Sequence, residues 1–387
     1  MATEAAKAIR DKAAICGVSA LLGDYPDRTA LSLAVEAFQL ALDDAGMSHK
    51  DIDGIMCLSY GADYDRFLEA TGVETRYAFQ GWTHGRFISP TVQQAAMTIA
   101  AGLADAIAIV HGKKHKAYGQ PVDHEMWRQG LGPHGESPAY GAFGPALAPA
   151  LAAQRYFHVY GGSADDLGYV CTALRESATL NPIALRKTPM SMDDYLNSRW
   201  IIQPLRLFDC CQNNDAAACI ILTSAERARD LKKKPVYVSG FQGVHAGRQR
   251  HNFTLPGLGV AQQDDFSFRP AKEDLYVYEM ADIERKDVDM IMTYDAFSPV
   301  VLFVLERFGF CGPGEAIDFI KSEGIGVKGR MPVNTSGGLL SEGHAAGWNL
   351  FAECARQLRG EAGERQVKDC EVVQYGSFLG ESIIFRN

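Results

Sequence analysis

Lys50-Asp51-Ile52-Asp53-Gly54-Ile55-Met56 returns downstream as Lys286-Asp287-Val288-Asp289-Met290-Ile291-Met292, with six of seven positions alike once Ile and Val are counted together. In each copy a polar turn with two aspartates runs into a short apolar stretch, 54–59 and 290–293, which reads as a buried strand. Working outward, Ser89-Pro90 opens a helix over 91–101, with Ser89 as its N-cap. Gly102 closes it, and a strand over 106–110 follows. Late in the chain the small residues of 343–358 predict a helix stopped at Gly360, again followed by a strand over 370–375. The same order on both sides of the repeat makes duplication the reading of the whole chain.

Strands are also expected over 14–18, 219–223 and 235–240. A helix over 29–45 sets Leu31, Val35, Phe38 and Leu42 on one face and ends at Gly46. This alternation predicts a mostly parallel α/β sheet covered on both faces, in two halves about a pseudo-two-fold. The first half takes 1–112 and 201–230, and the second takes 231–387. Between them, 113–200 is a Gly-, Pro-, His- and aromatic-rich loop or lid insertion, and the polar, Gly-rich 245–268 is a second candidate lid.

With 387 residues, 47% of them hydrophobic and 22% charged, the chain has globular usage and length for two or three domains. A net charge of −9 argues against nucleic-acid binding. No apolar run reaches the ~18 residues of a membrane span, and the mixed charges of the first residues are unlike a signal peptide, so a soluble cytoplasmic protein is expected. The clusters Lys113-Lys114-His115-Lys116, Lys232-Lys233-Lys234 and Arg248-Gln249-Arg250-His251 read as solvated loops, although one such cluster suffices for a small anionic cofactor such as coenzyme A. Nine cysteines without a CxxC pair predict neither a disulfide framework nor zinc. They read as small buried hydrophobes. His111 and His115 form HxxxH in a basic loop, and no metal is expected there.

Four motifs, in this order and spacing, carry a resemblance: Ala101-Gly102-Leu103-Ala104-Asp105; Thr293-Tyr294-Asp295-Ala296-Phe297; Gly337-Gly338 with Gly343-His344; and DCCQNNDAAACIILTSA over 209–225. Over nearly its whole length the chain resembles the thiolase superfamily, in its sterol-carrier-type branch. The resemblance implies a thiolase fold: duplicated βαβαβαββ halves in a five-layer αβαβα arrangement with a loop insertion. It also implies a homodimer acting on a coenzyme A thioester, with no permanently bound cofactor.

The family's two cysteines are missing. The nucleophile falls on Gly85, with no cysteine between Cys57 and Cys171. The second would fall near 374–376, and Cys370 comes too early. Tyr294 stands where the family has Asn or His; His344 keeps its place. Losing the thiolate removes ordinary thiolysis and leaves acid–base chemistry. The departure resembles the thiolase-like aldolases that remove acyl-CoA side chains from steroids. These work with a small zinc-ribbon/OB-fold partner, which would hold the only zinc.

Retro-aldol cleavage of a bulky β-hydroxyacyl-CoA is therefore expected, since it needs only a base and donors for an enolate. The alternatives are a thiolase cleaving a β-ketoacyl-CoA such as benzoylsuccinyl-CoA, and a non-catalytic acyl-CoA or lipid binder. Tyr294 is the expected acid/base, His344 the oxyanion donor and Asp295 an orienting carboxylate. His84 would be the base if Ser89 had become a nucleophile. Plain structural roles compete: a buried aromatic for Tyr294, a helix-terminal residue for His344, an N-cap for Ser89. For coenzyme A the candidates are His245 facing the cleft, Arg248 and Arg250 for the phosphates, and Gly338, Gly376 and Gly380 where backbone approaches ligand.

Overall fold

In a computed structural model, which describes residues 2–58, 63–81, 88–114, 146–244 and 275–387, the repeated aspartates do the same work twice. Asp51 accepts the Ser48 amide at 2.9 Å and Asp287 that of Glu284 at 2.8 Å, each closing a single 3-10 turn. The second aspartate of each copy caps a neighbouring strand. Asp53 accepts the Asp105 and Ala106 amides where β4 (Ala106–Lys113) begins, and Asp289 accepts those of Glu371 and Val372 where β10 (Val372–Gly376) begins. The strands that the repeat leads into, β2 (Gly54–Leu58) and β9 (Met290–Met292), lie parallel to β4 and β10 respectively.

The remaining main strands are β1 (Ala13–Gly23), β3 (Tyr77–Gly81), β7 (Asp215–Ser224), β8 (Val236–Gln242) and β11 (Ser382–Arg386); β5 (Trp200–Ile202) and β6 (Leu205–Arg206) form a separate ribbon. The nine-stranded sheet has the order β3-β2-β4-β7-β1-β8-β11-β10-β9. Each side of the β1–β8 contact repeats the other, and Val333 makes a lone parallel bridge to Ile291 where β3 would have its counterpart. The join itself is short: Ala14 opposite Tyr237 and Ile15 opposite Val236.

The sheet is not mostly parallel, contrary to expectation. Only β2–β3, β2–β4 and β9–β10 are parallel, because the closing strands β7 and β11 return antiparallel between their neighbours. An antiparallel strand needs no crossover helix, so helix–strand alternation does not reveal it.

Two helices, Ile88–Ala100 and Trp348–Arg359, pack against strands of both halves and form the middle layer. The helix Ala30–Ala45 covers β1, β4 and β7 on one outer side; Tyr276–Ala281 covers β8 and β11 on the other. Helices Leu147–Tyr160 and Leu167–Thr179 join the outer cluster of the second half.

Several expected details shift. Thr29 caps the first long helix and Gly46 ends it; Phe38 and Leu42 are buried as expected, but Leu31 and Val35 are only partly covered, and Leu33, Ala34, Ala37, Ala41 and Ala45 are fully buried. Alanines let this helix lie close on β1: a Cβ at Gly17 would sit 2.3 Å from the Ala41 carbonyl oxygen. Ser89 lies inside the helix Ile88–Ala100 rather than capping it. The late helix starts at Trp348, so residues 343–347 are loop, with Gly343, Ala346 and Gly347 all at positive φ. His111 belongs to β4 and is buried, its Nδ1 3.1 Å from the Leu58 carbonyl oxygen, not in a basic loop.

Candidate active site

Strand β4 continues three residues past its expected end, and its period-2 alternation sets the direction of Lys113. Ile107 and Ile109 face the central cluster while Ala106, Ala108 and Val110 face the outer one. Lys113 falls on the central side and is buried, 7% exposed. Its Nζ lies 2.8 Å from His344 Nδ1 and 3.3 Å from the His344 carbonyl oxygen. Burial lowers its pKa to about 8, against the pull of Cys211 and Asp215. Lys114 is also not solvated in the expected way: it pairs with Asp215 at 2.5 Å.

Tyr294 lies two residues past the end of β9. Asn334 pins the backbone before it, accepting the Thr293 amide at 2.8 Å and donating to the Thr293 carbonyl at 3.0 Å. Tyr294 Oη then lies 2.9 Å from His344 Nε2, and both side chains are buried, at 6% and 9% exposure. His344 therefore stands between a cation and a phenol, with both ring nitrogens at hydrogen-bonding distance from protein atoms.

The loop that carries His344 is held at each step. Its amide donates to Asn214 Oδ1 at 2.8 Å. Just before it, Glu342 is fully buried and accepts from Ser336 Oγ and Asn349 Nδ2, both at 2.7 Å. Asn349 also donates to the Gly343 carbonyl and accepts the Ala345 amide, so the histidine is braced on both sides. Burial, then the charge of Glu353, pushes Glu342 up to about 7.

Asp295 turns to the backbone, accepting the Leu339 amide at 2.8 Å and that of Leu340 at 3.4 Å, and so fixes the turn that leads to Glu342. Its full burial raises it to about 7. Gly338 stands directly beside it at φ +60°, where a Cβ would lie 2.1 Å from the carboxylate. Gly376 backs onto the Phe308 ring, and the Gly380 carbonyl accepts from Gln242 at 2.6 Å. His84, His245, Arg248 and Arg250 lie outside the described residues.

The sequence reading missed Lys113, Asn214, Asn334 and Glu342. Only Lys113 carried a usable signal, the alternation of β4 run on to its end; the others are polar residues in loops. All nine cysteines are free, and burial raises every one: Cys211 to about 11, Cys16, Cys57, Cys210 and Cys370 to about 12, and Cys171, Cys219, Cys311 and Cys354 further. None offers a thiolate at neutral pH. Among the described residues no cluster could hold a metal ion, and no helix is long and apolar enough to cross a membrane.

Residues 259–379 match the family described as thiolase C-terminal domain-like. The chain is 35% identical over 376 residues to the 17-hydroxy-3-oxo-4-pregnene-20-carboxyl-CoA lyase of Mycobacterium tuberculosis, covering 90% of this chain and 92% of that one. It is 34% identical over 373 residues to the steroid side-chain-cleaving aldolase of Thermomonospora curvata, 90% of each being covered. The solved structure of the Ltp2-ChsH2(DUF35) aldolase superposes with a TM-score of 0.86 at 30% identity, over 98% of each chain.

Proposed function

The chain belongs to the thiolase superfamily, in its branch of acyl-CoA lyases and aldolases, and on that premise we propose that Tyr294 and His344 carry a retro-aldol cleavage of a bulky β-hydroxyacyl-CoA. The observation that carries this reading is the buried Tyr294–His344 pair at 2.9 Å in a protein whose cysteines are all held as thiols. Tyr294 takes the proton of the β-hydroxyl. The β-carbon becomes a carbonyl, the electrons of the broken Cα–Cβ bond pass to the thioester as an enolate, and a proton returned to Cα releases the shorter acyl-CoA. His344 donates its N–H to the Tyr294 oxygen and so stabilises the negative charge that develops there as the phenolate forms. Asp295 orients the segment that ends in His344 and moves no proton.

The substrate class in this reading is that of the Mycobacterium tuberculosis relative, a steroid with a tertiary hydroxyl β to a coenzyme A thioester. His245, Arg248 and Arg250 would meet the coenzyme A arm, with Gly338, Gly376 and Gly380 shaping the floor, and His84 would be a further base. The protein would act as a homodimer, with halves 1–112 plus 201–230 and 231–387 around the insertion 113–200. The Ltp2-ChsH2(DUF35) aldolase carries a second component in its name, and a small partner subunit belongs to the proposal here, any zinc lying in that partner.

The test is to offer 17-hydroxy-3-oxo-4-pregnene-20-carboxyl-CoA to the purified chain, with and without a DUF35-type partner, and follow products by mass. A ring ketone plus propionyl-CoA is expected. Tyr294→Phe should lower kcat by about 10²–10⁴-fold, the usual weight of a general acid–base group. Full activity in that variant would remove Tyr294 from the chemistry, and release of free coenzyme A would point to thiolysis.

A further inference from the structure

We propose that Lys113 is a positioning residue for this cleavage: by donating to His344 Nδ1 it fixes the imidazole tautomer that presents Nε2–H to Tyr294 Oη. The inference rests on the reading of Tyr294 as the acid/base. A lysine ammonium has three donors and no acceptor, so a contact of 2.8 Å to Nδ1 requires a lone pair there. A neutral imidazole then carries its single proton on Nε2, and at 2.9 Å from Oη the histidine donates and the phenol oxygen accepts. Tyr294 thus faces a fixed donor with a cation behind it, the arrangement that stabilises its phenolate and lets it act as a base.

Among the described residues the side-chain hydrogen bonds of Lys113 both go to His344. Cys211 and Asp215 also face the ammonium. Cys211 stays a thiol, while Asp215 is engaged by Lys114 and by the Tyr25 amide. Among the described residues, Tyr375 and Asp295 are further titratable groups near Tyr294, and both are buried. A buried cation with no carboxylate of its own costs stability, so its place on the histidine is better explained by the site than by the fold. Its lowered pKa still leaves the ammonium form dominant at neutral pH.

The experiment compares wild type, Lys113→Met and Lys113→Gln, the last keeping a donor without the charge. With the steroid thioester named above, the Met variant should lose about 10- to 100-fold in kcat with KM within about twofold, and Gln should fall between. Independently of any substrate, 13Cζ-tyrosine spectra, with Tyr294 assigned by its absence in Tyr294→Phe, follow the ionisation of that residue. Its midpoint should move to higher pH in both variants, further in Met than in Gln. Should the Met variant not fold, the Gln variant carries the same comparison. Tyr294 midpoints equal to wild type in the folded variants would overturn the role of Lys113, whereas a wild type that cleaves nothing counts against the proposed activity alone.

Discussion

Replacing Glu342 by Gln measures what a buried carboxyl beside the loop that carries His344 costs the fold. Glu342 is fully buried, and burial together with the nearby Glu353 moves it from an ordinary 4.5 up to about 7. Between these values the native protein holds a proton that the unfolded chain has released, so stability falls as pH rises through that window and the penalty is complete above about 7. At 1.36 kcal/mol per tenfold, the displacement is worth about 3 kcal/mol. The glutamine cannot ionise and removes this slope. Its amide nitrogen also replaces an oxygen that accepts from Asn181 Nδ2 at 3.3 Å, which adds a pH-independent loss of about 1–3 kcal/mol. Urea unfolding of both proteins at intervals from about pH 5 to about pH 8 separates the two effects. Asp295, also raised to about 7, titrates alike in both proteins and cancels in the difference. The wild type should lose about 3 kcal/mol more than the variant across the range. Parallel pH curves would sink this account of Glu342, whatever the vertical offset between them.

Asn214→Ala removes the acceptor of the His344 amide and should lower kcat about tenfold or more while leaving the sheet intact, read by kinetics beside far-ultraviolet circular dichroism. Glu353→Gln addresses a buried ion pair: Arg365 Nε and Nη2 both reach the Glu353 carboxylate, at 2.9–3.1 Å, with 5% and 0% exposure. Leaving that guanidinium unpaired should cost about 3–5 kcal/mol in denaturant unfolding.

The proposed site divides into the Tyr294–His344 pair and a frame that holds it. Tyr294 comes from the loop after β9 and His344 from the loop before the helix Trp348–Arg359. Lys113 reaches them from the end of β4. Asn334 and Asn214 then bind the backbones on which the pair stands, and Glu342 holds the Ser336 and Asn349 side chains beside them. This division explains why the frame is polar although it is buried: loops crossing the interior must have their amides and carbonyls satisfied by side chains.

The duplication is legible in the chain alone, because the two Lys-Asp-x-Asp segments do the same local work, closing a turn and capping the adjacent strand. So are the loss of the cysteine nucleophile and the candidacy of Tyr294 and His344, since a motif position is read directly from the order of residues. The mixed sheet emerges only in three dimensions, because antiparallel return strands leave no mark in helix–strand alternation. The same holds for the basic cluster at 113–116, whose first lysine turns inward only because β4 runs on to it. And only folding joins Lys113 to His344, 231 residues away in the chain, since hydrogen bonds act over about 3 Å of space and sequence distance carries no record of them.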